Sequence, residues 1–327
     1  MNMKDLLTNS HLNTILPIYL SNGIIPNYKR IRIDTDDGDF IDFDWVNIDY
    51  KHVPTVILFH GTEGNSSSHY ARRLMYYIEK FGWRGVVAHF RGCSGEINRK
   101  LKFYHAGETE DIKWIIDYIK KTTNEPIYAC GVSIGGNMLL KYLGETKENS
   151  NVDMACAIST PFDLEECSKA VSNGFNKYVY AKHFLNTLLP KMKTYAEKFQ
   201  SFIYVDKKID TLDEFNNIYI TQITNYQDTF EYYEKCSCRN FLKYITTPTL
   251  ILQAENDPII PITAWPNKDE LSSSISFIAT KSGGHAGFLP KINIKNYKEA
   301  LLQMPKFIID YFNKIDNHTY DETDQIS

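Results

Sequence analysis

The run Ile127-Tyr128-Ala129-Cys130-Gly131-Val132-Ser133-Ile134-Gly135-Gly136 decides how this chain is built. Its first half is a short apolar run of the kind that forms a strand buried on both faces. Its second half opens an apolar pattern over 136–143 that reads as a helix. Ser133 therefore falls on a tight strand-to-helix turn, the context in which G-x-S-x-G exposes a serine hydroxyl at the top of a sheet. Gly131 and Gly135 stand two residues to either side, where backbone and helix approach too closely for larger side chains. The helix start also turns backbone N–H groups towards negative charge developing beside the serine. A plain turn with a structural serine is the bland alternative, and the strand before and helix after it argue against that.

Working outward, further apolar runs at 55–60, 85–90, 154–160, 249–255 and 276–282 predict strands of a parallel sheet. Helical patterns lie between and after them at 70–81, 108–121 and 297–313, and 30–46 reads as a hairpin around Asp37-Gly38. Strand and helix alternation predicts an α/β fold with a mostly parallel, doubly wound sheet, one domain over 1–327. The interval 161–244 has no strand core and is rich in aromatics such as Phe175, Tyr178, Phe184, Phe215 and Tyr226. It predicts a helical cap insertion over the carboxyl edge of the sheet.

A nucleophilic serine needs a base, and in sheets of this kind the order is serine, acid, histidine. Of nine histidines only His183, His285 and His318 follow Ser133. His318 lies in a polar tail and His183 in the insertion. His285 follows the last strand within Gly283-Gly284-His285-Ala286-Gly287, where glycines let a loop present a side chain. Asp257, just past the apolar run 249–255, is the candidate acid, with Glu255 and Asp163 as alternatives. The loop His60-Gly61-Thr62-Glu63-Gly64 follows the strand 55–60, and such a loop supplies one oxyanion donor while the residue after the serine supplies the other. The backbone N–H groups of Thr62 and Ile134 are the candidates.

Composition narrows the class. The 327 residues are 43% hydrophobic and 23% charged, an ordinary globular balance. A net charge of -4 without a basic arm points away from nucleic acid. No run approaches the roughly 20 apolar residues of a membrane-spanning helix. The segment 12–26, broken by Pro17, Gly23 and Pro26, is expected to pack along the domain's side, with peripheral membrane contact left open. The six cysteines lack zinc-like spacing and read as reduced thiols in a cytoplasmic protein; the pair Cys236 and Cys238 hints only weakly at metal.

Together these segments resemble the YheT-like branch of the α/β-hydrolase superfamily, its fourth AB-hydrolase family. The resemblance rests on Ser10-His11-Leu12-Asn13-Thr14-Ile15-Leu16-Pro17, His60-Gly61-Thr62-Glu63-Gly64, Phe90-Arg91-Gly92-Cys93-Ser94-Gly95-Glu96 and Tyr104-His105-Ala106-Gly107-Glu108. It extends through the Ser133 segment to Asp257-Pro258 and Gly283-Gly284-His285-Ala286-Gly287-Phe288. It implies hydrolysis of short- to medium-chain carboxylic esters or acylglycerols without metal or organic cofactor. Relatives that act on phospholipids use an N-terminal anchor, and no stretch here reads as one. Acyl transfer by the same residues, or a non-catalytic binding protein on this scaffold, are the competing readings. Arg91 is expected to tie loops together; Cys93 and His105 are left without a role.

Overall fold

Strands form at Lys29–Asp34 (β1), Phe40–Val46 (β2), Thr55–Phe59 (β3), Arg84–Ala88 (β4), Ile127–Val132 (β5), Met154–Ile158 (β6), Thr249–Ala254 (β7) and Ile275–Thr280 (β8). They are seen in a computed structural model that describes residues 9–289 and 297–316. The opening residues and the tail that carries His318 lie outside these. The strands make one sheet in the order β1-β2-β4-β3-β5-β6-β7-β8. β1, β2 and β4 pair antiparallel and the remaining neighbours pair parallel, as expected for an α/β hydrolase sheet.

Alternation along each strand feeds two separate cores. Ile57 and Phe59 of β3 pack on one face, where helices Thr109–Lys120 (α3) and Ile134–Thr146 (α4) bring Ile112, Ile115, Ile116, Leu139 and Leu143. Val56 and Leu58 point to the other face, met by Leu74, Met75 and Ile78 of His69–Phe81 (α2) and Ile308, Ile309 and Phe312 of Gln303–Asp316. Period-2 side chains thus require helices on both sides of the sheet. α2 stops at Gly82, whose φ of 88° gives the left-handed cap that returns its N–H to Ile78 O.

β2 lies between β1 and β4, and every residue of it is buried, including Asp42 and Asp44. Their carboxylates are matched in register by Arg32 and Arg30 of β1, at 2.8 and 2.7 Å. Asp44 also accepts from His89 and from the Ser66 hydroxyl. Burial opposes its charge, yet the hydrogen bonds from Arg30, His89 and Ser66 hold its carboxyl well below the usual range.

Between β6 and β7 the chain forms helices and turns and no strand. The longer helices there are Leu164–Val171 (α5), Lys182–Lys198 (α6) and Thr229–Cys236 (α7). Asp163 and Asp228 cap α5 and α7 by accepting from the N–H groups of Glu166 and Glu231. One helix was missed in the sequence: Ser10–Leu20 (α1), capped by Asn9, runs through Pro17 where the pattern reads as broken. The expected final helix over 297–313 is two, Tyr297–Leu301 (α8) and Gln303–Asp316 (α9).

Candidate active site

Ser133 stands between β5 and α4 with φ 54° and ψ -124°, a strained conformation for a residue with a side chain. The surrounding glycines explain how the turn closes. A Cβ on Gly131 would lie 2.5 Å from Gly135 O, and one on Gly135 would strike the carbonyls of Phe59 and His60. The loop after β3 is therefore pressed onto the serine turn, and a Cβ on Gly61 would lie 3.2 Å from the Ser133 Cβ.

That loop is held by buried polar contacts. His60 is fully buried, and its Nε2 accepts from the Phe90 N–H at 3.0 Å. Its proton is therefore on Nδ1, which donates to Gly61 O at 2.8 Å. Burial pushes its pKa down to about 3, so the ring is neutral. Peptides here are trans, so fixing the Gly61 carbonyl aims the Thr62 N–H the opposite way. Gly61 N–H and Glu63 N–H are taken by the hydroxyls of Tyr70 and Tyr104, each at 2.8 Å. Among the described residues, loop and turn hydrogen bonds also use Gly64 N and Ser133 N, but neither Thr62 N nor Ile134 N. The Glu63 carboxylate pairs with Lys191 of α6 at 2.6 Å and accepts from Tyr104 at 2.9 Å.

On the other side of the serine, Asp257 follows β7 and His285 follows β8. The imidazole Nδ1 donates to Asp257 Oδ2 at 2.9 Å. Asp257 Oδ1 accepts from the Ile259 and Ile260 N–H groups at 2.8 and 3.1 Å, so both oxygens are occupied. This leaves His285 Nε2 with its lone pair. Glu255 is exposed, and Asp163 caps α5, so neither serves His285. Ser133 N donates to Ile158 O, and the hydroxyl of the next residue, Ser159, accepts from Ala286 N, both at 2.9 Å. The end of β6 thus brings the serine turn and the histidine loop to one edge. Among the described residues no hydrogen bond joins the Ser133 hydroxyl to His285.

Thr62, Ser133 and Ile134 open on a cavity of about 130 Å³. Most of its other walls are apolar and come from 161–244, among them Leu164, Val171, Phe184, Leu188, Phe215 and Ile220. Phe184 and Phe215 thus reach the site, whereas Phe175 and Tyr178 are exposed. Ser168, Asn216 and Tyr233 give it a polar corner, joined by hydrogen bonds of 3.0 and 3.1 Å.

The unassigned residues now have places. Arg91 is buried among Asp37, Asp39 and Asp111 at 2.6 to 3.0 Å, and ties the hairpin to α3. Cys93 is buried beside Lys191 and Glu63, and burial pushes its thiol up to about 12, far from a thiolate nucleophile. His105 lines the cavity, accepts from Gly107 N–H at 3.1 Å, and is pushed down to about 4 by burial. All six cysteines are buried and unpaired, and Cys236 contacts the Tyr226 hydroxyl. Among the described residues no group of three His, Cys, Asp or Glu could hold a metal ion, and no helix is long and apolar enough to cross a membrane.

Comparison with known proteins agrees with this fold. The family model described as the alpha/beta hydrolase fold matches residues 54–292. YheT of Escherichia coli (strain K12) is 36% identical over 86% of this chain and 85% of its own. Phospholipase ABHD3 of Bos taurus is 28% identical over 85% of this chain and 71% of its own. A solved esterase from Pyrobaculum calidifontis matches with a TM-score of 0.55 and 19% identity, covering 95% of this chain and 94% of that one, a likeness of fold alone. The chain belongs to the α/β hydrolase fold family, in its YheT-like branch.

Proposed function

We propose that the protein is a serine hydrolase of carboxylic esters with Ser133, His285 and Asp257 as its triad. The observation that carries this is the strained Ser133 turn opening on an apolar cavity, at the sheet edge that also carries a histidine whose Nδ1 is held by a buried carboxylate. His285 Nε2 takes the Ser133 proton as the hydroxyl oxygen attacks the ester carbonyl. Asp257 keeps the imidazole in the tautomer that leaves Nε2 basic and stabilises the imidazolium. The tetrahedral oxyanion sits against the N–H groups of Thr62 and Ile134, each contributing about 3 kcal/mol. His285 then returns the proton to the leaving alcohol, and water resolves the acyl-serine by the same base.

The segment 161–244 acts as a cap within one hydrolase unit and supplies the wall for the acyl chain. The apolar lining favours short- to medium-chain acyl groups, and the names of the relatives, a phospholipase among them, are in keeping with ester chemistry. A fluorophosphonate probe tests the reading, because it requires an activated hydroxyl and an oxyanion hole together. Labelling at Ser133 that Ser133→Ala abolishes, together with hydrolysis of an aryl-ester panel of graded chain length, is the expected result. Labelling elsewhere, or undiminished hydrolysis in Ser133→Ala, overturns it.

A further inference from the structure

The segment Ser10-His11-Leu12-Asn13-Thr14 has no part in the chemistry above, and it precedes the region that the fold family shares. It is nonetheless built onto the histidine loop. The backbone N–H of His285 donates to Thr14 Oγ1 at 2.9 Å. The Thr14 hydroxyl spends its own proton on Ser10 O at 2.8 Å, so its lone pairs face His285 N. Thr14 is buried, and the loop glycines are shaped to α1. Gly284 has φ 59°, and a Cβ there would lie 2.7 Å from both Thr14 N and Thr14 Oγ1. A Cβ on Gly287 would collide with Asn13 O.

The same helix touches the cap. His11 Nδ1 lies 2.9 Å from the Tyr180 hydroxyl, and its ring packs against Phe175 at 4.5 Å. Burial raises the Tyr180 phenol to about 12, with the Asp257 charge adding to the rise and a hydrogen bond with Thr14 opposing it. Among the described residues the other anchors of the loop bind its neighbours, Asn256 taking the Gly283 and Gly284 N–H groups and Ser159 the Ala286 N–H, while the His285 N–H goes to Thr14.

We propose that Thr14 is a positioning residue for His285, and that α1 couples the cap to the histidine loop through His11 and Tyr180. This rests on the triad reading. Substrate seated against the cap then bears on the aim of the imidazole, although neither α1 residue meets the reacting atoms.

The test compares Thr14→Val and Thr14→Ser with the parent in hydrolysis of p-nitrophenyl butyrate and in fluorophosphonate labelling rate. Valine keeps the branched shape and loses the acceptor, so kcat and labelling rate should fall together by about 100-fold, the scale of an ångström of misplacement, with KM nearly unchanged. Serine should restore most of both. Parental kcat in Thr14→Val overturns the proposal, as does an equal loss in Thr14→Ser. Should the valine variant not fold, Tyr180→Phe and His11→Ala decide: each is expected to lower kcat about tenfold at unchanged KM, and parental kcat in both overturns it. Ser133→Ala separates the two readings. Retained hydrolysis there sinks the triad itself, whereas its loss beside a parental Thr14→Val sinks only the positioning role.

Discussion

Acid should unfold this protein well before its carboxylates are titrated, because three histidines are held neutral inside it. His60 and His69 are pushed down to about 3 and His105 to about 4, in each case chiefly by burial, with Arg73 also acting on His69 and Lys102 on His105. In the unfolded chain each takes up a proton below about pH 6.5, while the folded chain refuses it until pH 3 or 4. Falling pH therefore favours the unfolded state, and the stability is fully present only above pH 6.5. At pH 5, about 1.5 units lower, each histidine costs about 2 kcal/mol and the three together about 6 kcal/mol. That matches the lower end of the roughly 5–15 kcal/mol that holds a typical domain. Glu108, raised by burial and by Asp111, opposes the trend by accepting a proton more readily in the fold. Urea denaturation followed by circular dichroism between pH 8 and 5 measures the slope. His69→Gln removes one of the three and should lose about 2 kcal/mol less than the parent over that range. A parent whose stability is flat down to pH 5, or a variant with the parental slope, refutes the reasoning.

Two further outcomes bear on the site. Asp257→Asn should lower kcat by about 10³- to 10⁴-fold, through loss of the tautomer that leaves Nε2 basic, while circular dichroism stays parental; an equal loss in Glu255→Gln or Asp163→Asn instead would move the acid. Phe184→Trp or Leu188→Trp should shift the chain-length preference on the ester panel towards shorter acyl groups, whereas Phe175→Trp, on the exposed side of the cap, should leave it unchanged; equal selectivity in all three removes the cavity as the acyl site.

The parts legible in the sequence are those whose cause is local. Strands β3 to β7 show as apolar runs because both faces of each are covered, and the Ser133 turn shows because its glycines are close together in sequence: Gly131 is forced by the backbone of Gly135 and Gly136, although Gly135 is forced by the distant carbonyls of Phe59 and His60. Asp42 and Asp44 illustrate the opposite case. They alternate with apolar residues along the hairpin, and the β1 arginines that neutralise them are visible only in the register. His60 is legible as a loop entry and no more, since the N–H that fixes its tautomer belongs to Phe90, thirty residues on.

Prolines were the least well read, and they lead back to the histidine loop. A proline has no N–H for the carbonyl four residues before it, which is why Pro17 argues against a helix over 12–26 and why 297–313 is not continuous. In the fold both of those carbonyls are put to use. Opposite Pro17 stands Asn13 O, against which Gly287 packs too closely for any side chain. Opposite Pro305 stands Leu301 O, which accepts from buried Arg73 Nε at 2.6 Å, and Arg73 Nη1 donates to Gly287 O at 2.7 Å. Burial lowers the pKa of this guanidinium to about 9, so these carbonyls must compensate a charge taken out of water. Two interruptions, at opposite ends of the chain, thus meet at one glycine, two residues past His285. A local reading breaks the pattern at Pro17 and carries a helix straight through Pro305. Once the chain is folded, each marks a backbone acceptor or packing surface given over to holding the loop that carries the candidate base.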